Sequence, residues 1–416
     1  CSGSKAKTKM TNSKKPRLRT FESAANQQHI PDADKYLYRE EVPTHKLIVI
    51  GTGTIGQEHM RVAATLGRAS IHGIFDTSGQ SLDTAEANYK SYSKDRPVRY
   101  TDLESACMDS AADAIFICTP NYTHLDVLQV AIKSGKPIFL EKPIATTIED
   151  AAQVVQLARD YSSFIQLGLQ YRYKAQYVEA FHEALTRRSL GAIKMISMSE
   201  YRPPFLDKVG QWNKFNEYSG GTLVEKCCHY FDLINLLAES KPQRVYASGG
   251  QAVNFLGFEK DGRKADIDDH GFVTIDYKNA IRASFTLNMF CPDFYEELLI
   301  SGDEGRLLAC EKVDLQQQKG VDASVSLYLG EQGASRTSKL GYPAAIEQTG
   351  HHGASYFEHA AFLDQLDGKP TNSATPEQGL WAMIVASAAQ QSIASGLPVE
   401  IEEFIGHHKL AAVLSD

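Results

Sequence analysis

The chain has 416 residues, a net charge of −8, and 43% hydrophobic against 23% charged residues. That is the composition of an ordinary globular protein, long enough for two domains. The acidic balance excludes the basic face of a nucleic-acid binder, and no apolar run approaches the roughly 18 residues that span a bilayer.

In chain order, Cys1-Ser2-Gly3-Ser4 looks like the mature start of a bacterial lipoprotein. If Cys1 is a mature N-terminus, an exported, lipid-anchored form follows. Otherwise seven cysteines without a C-x-x-C pair argue against zinc or a disulfide framework and for a reducing, cytoplasmic compartment. Residues 1–44 are polar, and basic between Lys5 and Arg19, and read as a flexible extension. Lys46–Ile50 reads as a buried strand, Gln57–Leu66 as a helix and Ile71–Phe75 as a second strand. Ala114–Cys118 and Pro137–Leu140 are further strands, with a helix over Thr123–Lys133 between them. This alternation predicts an α/β Rossmann domain over 45–166, built on a parallel sheet.

From about Gln170 the pattern changes. Ile193–Tyr201, His270–Tyr277, Ala280–Phe290 and Glu297–Ser301 are β-rich, partly alternating and joined by turns such as Lys278-Asn279. They predict a second α/β domain over 167–405 with an open, mostly antiparallel sheet, one face packed on helices. Its open face predicts a homodimer or homotetramer. Gly330–Leu340 reads as an exposed loop, Pro376–Ser395 as a helix stopped by Gly396-Leu397-Pro398, and 406–416 as a tail.

Gly51-Thr52-Gly53-Thr54-Ile55-Gly56 follows the first strand and opens a helix, the context in which a G-x-G-x-x-G pattern binds a dinucleotide. Gly51 permits the turn, Gly53 the approach of a pyrophosphate, and Gly56 close helix–strand packing. Asp76, about 20 residues beyond the last glycine, stands where an acid binds ribose hydroxyls. It favours NAD over NADP, although Thr77 and Ser78 could still receive a phosphate.

Cys118-Thr119-Pro120-Asn121-Tyr122-Thr123-His124, Glu141-Lys142-Pro143 and Gly220–Leu233, with an acid four residues before a histidine, resemble the glucose–fructose oxidoreductase and inositol 2-dehydrogenase family. The resemblance runs from about His45 to Phe404. It implies cofactor contacts from Thr119, Pro120, Asn121, His124, Glu141 and Trp212, beside Gly51, Gly53, Thr54, Ile55, Gly56 and Asp76. It also implies that Lys142, Glu225 and His229 are catalytic, and that Lys142, Arg172, Asp232 and His352 face a polyhydroxylated small-molecule substrate.

Elementary chemistry agrees with those roles. Oxidising a secondary alcohol needs a base near neutrality, which histidine supplies, and a cation to hold alkoxide charge, which Lys142 supplies. Glu225 and His229, four apart, would share one helix face. Arg172 could equally form a salt bridge across the domain boundary. Glu225 stands where the family commonly has aspartate, Lys226 adds a second cation, and Asn213 follows Trp212 where arginine is common, with Lys214 a conceivable replacement. His351 and His352 lack a third metal ligand at suitable spacing. The expected activity is hydride transfer between the nicotinamide and a secondary alcohol or ketone of a sugar, sugar derivative or cyclitol. An NAD-dependent glycosidase using transient oxidation, or a non-catalytic nucleotide-binding sensor, are the alternatives.

Overall fold

The computed structural model describes residues 42–315, 320–330, 333 and 335–414; the readings of the N-terminal extension lie outside these residues. Six strands form one parallel sheet: β1 (His45–Ile50), β2 (Ala69–Phe75), β3 (Val98–Arg99), β4 (Ala114–Ile117), β5 (Ile138–Glu141) and β6 (Ile165–Gly168), in the order β3-β2-β1-β4-β5-β6. Leu47, Ile48, Val49 and Ile50 are all fully buried. β1 is therefore apolar on both faces, because helices cover the sheet on each side. The helices of this half are α1 (Thr54–Leu66), α2 (Gly79–Tyr89), α3 (Leu103–Met108), α4 (His124–Ala131) and α5 (Ile148–Arg159). α1 starts three residues earlier than the periodicity predicts, since Thr54 and Ile55 enter the helix directly from the glycine turn.

The second sheet has nine strands: β7 (Ile193–Tyr201), β8 (Pro242–Gly250), β11 (His270–Tyr277), β12 (Arg282–Asn288), β13 (Phe294–Gly302), β14 (Gly305–Val313), β15 (Asp322–Leu329), β16 (Arg336–Leu340) and β17 (Val399–Glu400). Between β8 and β11 a small hairpin, β9 (Glu259–Lys260) and β10 (Arg263–Lys264), stands apart. The large sheet runs β16-β15-β14-β13-β7-β12-β11-β8-β17. Only β7 and β12 pair in parallel, so the expected antiparallel character holds. Arg336–Leu340 is a correction: it is an edge strand on β15, not a loop, because Ser326 and Thr337 hydrogen-bond across the pair and the ladder supplies what an alternating apolar pattern would otherwise signal.

Helices α6 (Ala175–Phe181), α7 (Asn216–Ser219), α8 (Thr222–Glu225), α9 (Cys228–Ala238), α10 (Ala344–Glu347), α11 (Ala354–Leu366) and α12 (Pro376–Ser395) complete the layers. α12 begins with a Thr375/Gln378 capping box and Pro376, and ends at left-handed Gly396, the stop the sequence predicts. A Cβ at Gly379 would lie 2.2 Å from Leu167 Cδ2. Only glycine lets α12, which also packs on α9 and β8, lie this close to β6. No helix among the described residues is long and apolar enough to cross a membrane.

Candidate active site

The turn between β1 and α1 is built for close approach. Gly51 has φ +89°, and a Cβ there would meet the Cys118 carbonyl at 2.7 Å. One at Gly56 would lie 2.0 Å from the Gly51 carbonyl oxygen, whereas one at Gly53 would meet nothing within 4 Å. Gly51 and Gly56 thus serve the fold, and Gly53 leaves open space at a helix N-terminus that no side chain caps. Unpaired N–H groups at such an end attract anionic oxygens. Asp76, just past β2, accepts from Thr52 N at 2.7 Å and Ser78 N at 2.8 Å, so its carboxylate is fixed at the rim of that space. These features fit a dinucleotide with its pyrophosphate at α1 and its ribose at Asp76.

One cleft of about 1110 Å³, part of it open to solvent, brings together Gly51, Gly53, Thr54, Ile55, Asp76, Thr119, Pro120, Asn121, Glu141, Lys142, Trp212 and Glu225. Lys142 follows the C-terminal end of β5 and donates from Nζ to the Glu225 backbone oxygen at 3.1 Å. Burial works against its charge, but Glu225 and neighbouring groups outweigh burial and hold the ammonium above the ordinary lysine value. Burial likewise opposes the Glu225 carboxylate, and Lys142, Lys208 and a 3.0 Å hydrogen bond from Asn121 Nδ2 hold its pKa down. The pair is a desolvated ammonium and carboxylate at one end of the cleft.

His229 lies behind this wall, 2% exposed, with its ring stacked on Tyr171 at 4.1 Å and 9°. Burial first, then the charges of Lys142 and Lys226, push its pKa well below the ordinary value. Its Nδ1 is buried with no hydrogen-bond partner among the described residues, and with its pKa held down the imidazole is neutral. The single helix expected for Glu225 and His229 is a correction. A turn at Lys226 and Cys227 separates α8 from α9, and Lys226 is drawn aside to Tyr171 Oη and to Glu200 Oε1 at 3.1 Å.

Four further candidates do not line the cleft. His124 is fully buried between the Pro143 and Thr119 carbonyls, at 2.8 and 3.0 Å, and ties two cleft loops together. Arg172 and Asp232 bind each other through two hydrogen bonds of 2.7 and 2.6 Å, a salt bridge as the alternative reading had it, but between two residues of the 167–405 segment and not across the domain boundary. His352 bonds Glu311 at 2.8 Å, while His351 bonds Glu58 at 2.7 Å, so the adjacent histidines face different carboxylates. Lys214, the conceivable replacement for a missing arginine, instead pairs with Asp207 at 2.8 Å and sits over the Phe258 ring. The cleft cation from this segment is Lys208, which the sequence reading missed. Burial chiefly pulls its pKa down. Asp207 and Val209 were also missed, for no local pattern marks a loop that folds over a distant sheet, and Tyr122 was passed over although it stands within the Cys118–His124 motif.

Beneath the cleft floor, His59 bridges Glu141 Oε1 at 2.8 Å and His359 Nε2 at 2.6 Å, and Glu141 Oε2 accepts from Lys142 N at 3.0 Å. Burial opposes the His59 imidazolium, and Cys118 and Glu141 outweigh it; His359 is held neutral by burial and by His59. This chain fixes Glu141 and, through it, the backbone that presents Lys142.

Two family descriptions match the chain: "Oxidoreductase family, NAD-binding Rossmann fold" over residues 45–169, and "Oxidoreductase family, C-terminal alpha/beta domain" over residues 182–401. The chain is 26% identical to a 1,5-anhydro-D-fructose reductase of Ensifer adhaerens, over 85% of this chain and 98% of the relative. It is 22% identical to a myo-inositol 2-dehydrogenase of Thermotoga maritima, over 86% and 99%. Its fold is similar to that of a levoglucosan dehydrogenase solved with NADH and levoglucosan, with a TM-score of 0.70 at 17% identity, covering 86% of this chain and 99% of that one.

Proposed function

From the premise that the chain belongs to the GFO/IDH/MocA oxidoreductase family, we propose that it oxidises a secondary alcohol on a polyhydroxylated ring, or reduces the matching ketone, with Lys142, Glu225 and His229 as the reacting groups. The observation that carries this reading is the desolvated Lys142–Glu225 pair on the wall of the cleft that also holds the open end of α1. When bound, the nicotinamide supplies hydride acceptance or donation. Lys142 orients the substrate oxygen and holds its developing negative charge in a site where a desolvated cation acts strongly. Glu225 keeps Lys142 charged and is itself oriented by Asn121. Neutral His229, which stands behind the Lys142–Glu225 wall with its Nδ1 unbonded among the described residues, is the group we assign to take the hydroxyl proton. Asp76 makes NAD the preferred cofactor, because a fixed carboxylate repels a 2′-phosphate.

The substrate class is supported by relatives that bear the names of an anhydrofructose reductase and an inositol dehydrogenase. Sugars, cyclitols and sugar phosphates assayed with NAD and NADP for reduced-nicotinamide absorbance test it. Turnover of at least one ring substrate is expected, falling by at least about 100-fold in Lys142→Met with NAD affinity retained. An unchanged rate in that variant would remove Lys142 from the mechanism. Self-association through the outer face of the large sheet is supported by Phe272 on β11 and Met195 on β7, 62% and 61% exposed on the strands either side of β12. A reducing, cytoplasmic setting is supported by six free cysteines among the described residues.

A further inference from the structure

A second hollow, about 730 Å³ including open solvent, adjoins the cleft and shares Tyr122, Val209 and Trp212 with it. Its remaining wall is Phe215 and Tyr218 on one side and the β9–β10 hairpin on the other. Asp261 and Gly262, at φ 51° and 76°, make the two-residue turn that a tight hairpin requires. That turn brings Lys260, Asp261 and Arg263 over the aromatic side.

The rings are mutually inclined; Trp212 and Tyr218 are half-buried, Phe215 is buried, and the Arg263 guanidinium lies over the Phe215 and Tyr218 rings, 5.4 and 5.5 Å from their centres. Tyr122, 45% exposed, lies 5.1 Å from Tyr218 at 60° and 6.3 Å from Trp212 at 72°. Such surfaces suit a ligand with apolar C–H faces and a polar rim. The charges narrow its chemistry. Arg263 is bound to Glu217 at 2.5 Å, and Lys260 donates to the Gly210 carbonyl. With both cations engaged and Asp261 beside them, the hollow offers donors and acceptors but little uncompensated positive charge, which disfavours a phosphate. Continuity fixes its relation to the chemistry: Asn121, which bonds Glu225, is the residue before Tyr122.

We infer that this hollow is a subsite for a neutral second sugar ring, so that the substrate is a glycoside or disaccharide rather than a free monosaccharide or cyclitol. The inference rests on the proposed function and sharpens its substrate class. A reacting ring beside Lys142 would carry its glycosidic neighbour past Trp212 onto Tyr122 and Tyr218.

The chain has two tryptophans. In a full-length Trp381→Phe background, Trp212 therefore reports binding without turnover. With NAD present, emission is titrated with cellobiose, maltose, lactose, glucose, myo-inositol and UDP-glucose, in parent, Tyr218→Ala and Arg263→Ala proteins. The expected result is that at least one disaccharide changes Trp212 emission, that Tyr218→Ala weakens its binding by about tenfold, and that glucose binding is the same in parent and variants. Arg263 is exposed, so its variant guards against a folding defect at Tyr218. The inference is overturned if no disaccharide perturbs Trp212, if both variants leave disaccharide binding unchanged or weaken glucose equally, or if only UDP-glucose binds in a Tyr218-dependent way. Disaccharide binding with no reduction of NAD or NADP by it, and no oxidation of the reduced cofactors by its keto form, would sink the proposed function and leave the subsite standing. NAD reduction by glucose or inositol with no disaccharide binding would do the reverse.

Discussion

Replacing Arg172 separates a structural from a substrate-binding role. Its guanidinium makes two hydrogen bonds to Asp232, with side-chain exposures of 8% and 2%, and a third at 3.0 Å to Gln378 Oε1 in the α12 capping box. Arg172→Met would strand the Asp232 carboxylate in the interior, at a cost of about 3–5 kcal/mol. At about 2 °C per kcal/mol for large domains, the thermal midpoint should fall by about 6–10 °C. Arg172→Met with Asp232→Leu removes both charges and should recover wild-type stability or exceed it. Circular dichroism melts give the stabilities, and NAD titration with steady-state kinetics gives the function. Because neither residue lines the cleft, the double variant should keep NAD affinity and kcat/KM close to wild type. A stable double variant that has lost kcat/KM would refute the structural assignment, as would a single variant that melts with the parent.

Gly53→Ala should fold as well as wild type, since its Cβ meets nothing in the ligand-free chain, yet bind NAD at least about tenfold more weakly by calorimetry. Gly56→Ala, with a Cβ 2.0 Å from the Gly51 oxygen, should instead lower the melting midpoint. Asp76→Ser should shift the NADP-to-NAD ratio of kcat/KM upward by at least about tenfold; an unchanged ratio would place the ribose elsewhere. His229 and His359 are both held well below their ordinary pKa. The unfolded chain therefore binds more protons below about pH 6.5, and stability should fall as pH drops through that range. His59, held above its ordinary value, contributes stability that is fully present below about pH 6.5 and is lost only as pH rises beyond it, so it adds no slope on the acid side. Against wild type, denaturant melts of His229→Gln should show a pH slope shallower by up to about 1.4 kcal/mol per unit; equal slopes would mean that His229 titrates normally.

What was legible in the sequence was what local pattern dictates. The Gly51–Gly56 turn, the apolar run of β1, Asp76 and the Gly396 stop are each set by neighbours within a few residues. β8, β14 and β15 escaped because their outward positions carry Arg244, Arg306 and Ser324 with Ser326, which dilute the apolar signal while the inner face remains buried. The Asp261-Gly262 dipeptide was a readable hairpin signal that went unused. Tyr122 had its signal in the motif around it, whereas Lys208 had none, since its place at the cleft depends on segments far apart in the chain. Arg172, Asp232 and His352 show the converse: motif position suggested ligand contact, whereas Arg172 and Asp232 are buried against each other and half-buried His352 is bonded to Glu311.

The one parallel pairing in the large sheet has an architectural consequence. Parallel neighbours cannot be joined by a tight turn, so the chain must travel from Tyr201 to Arg282 before it can lie beside itself again. Lys208, Trp212, Glu225, His229 and the β9–β10 hairpin all occur within that excursion. The same excursion also lays down β8 and β11 of the sheet itself, so one stretch of chain sets both this side of the cleft and the strand register beneath it, and insertions are tolerated only in its loops.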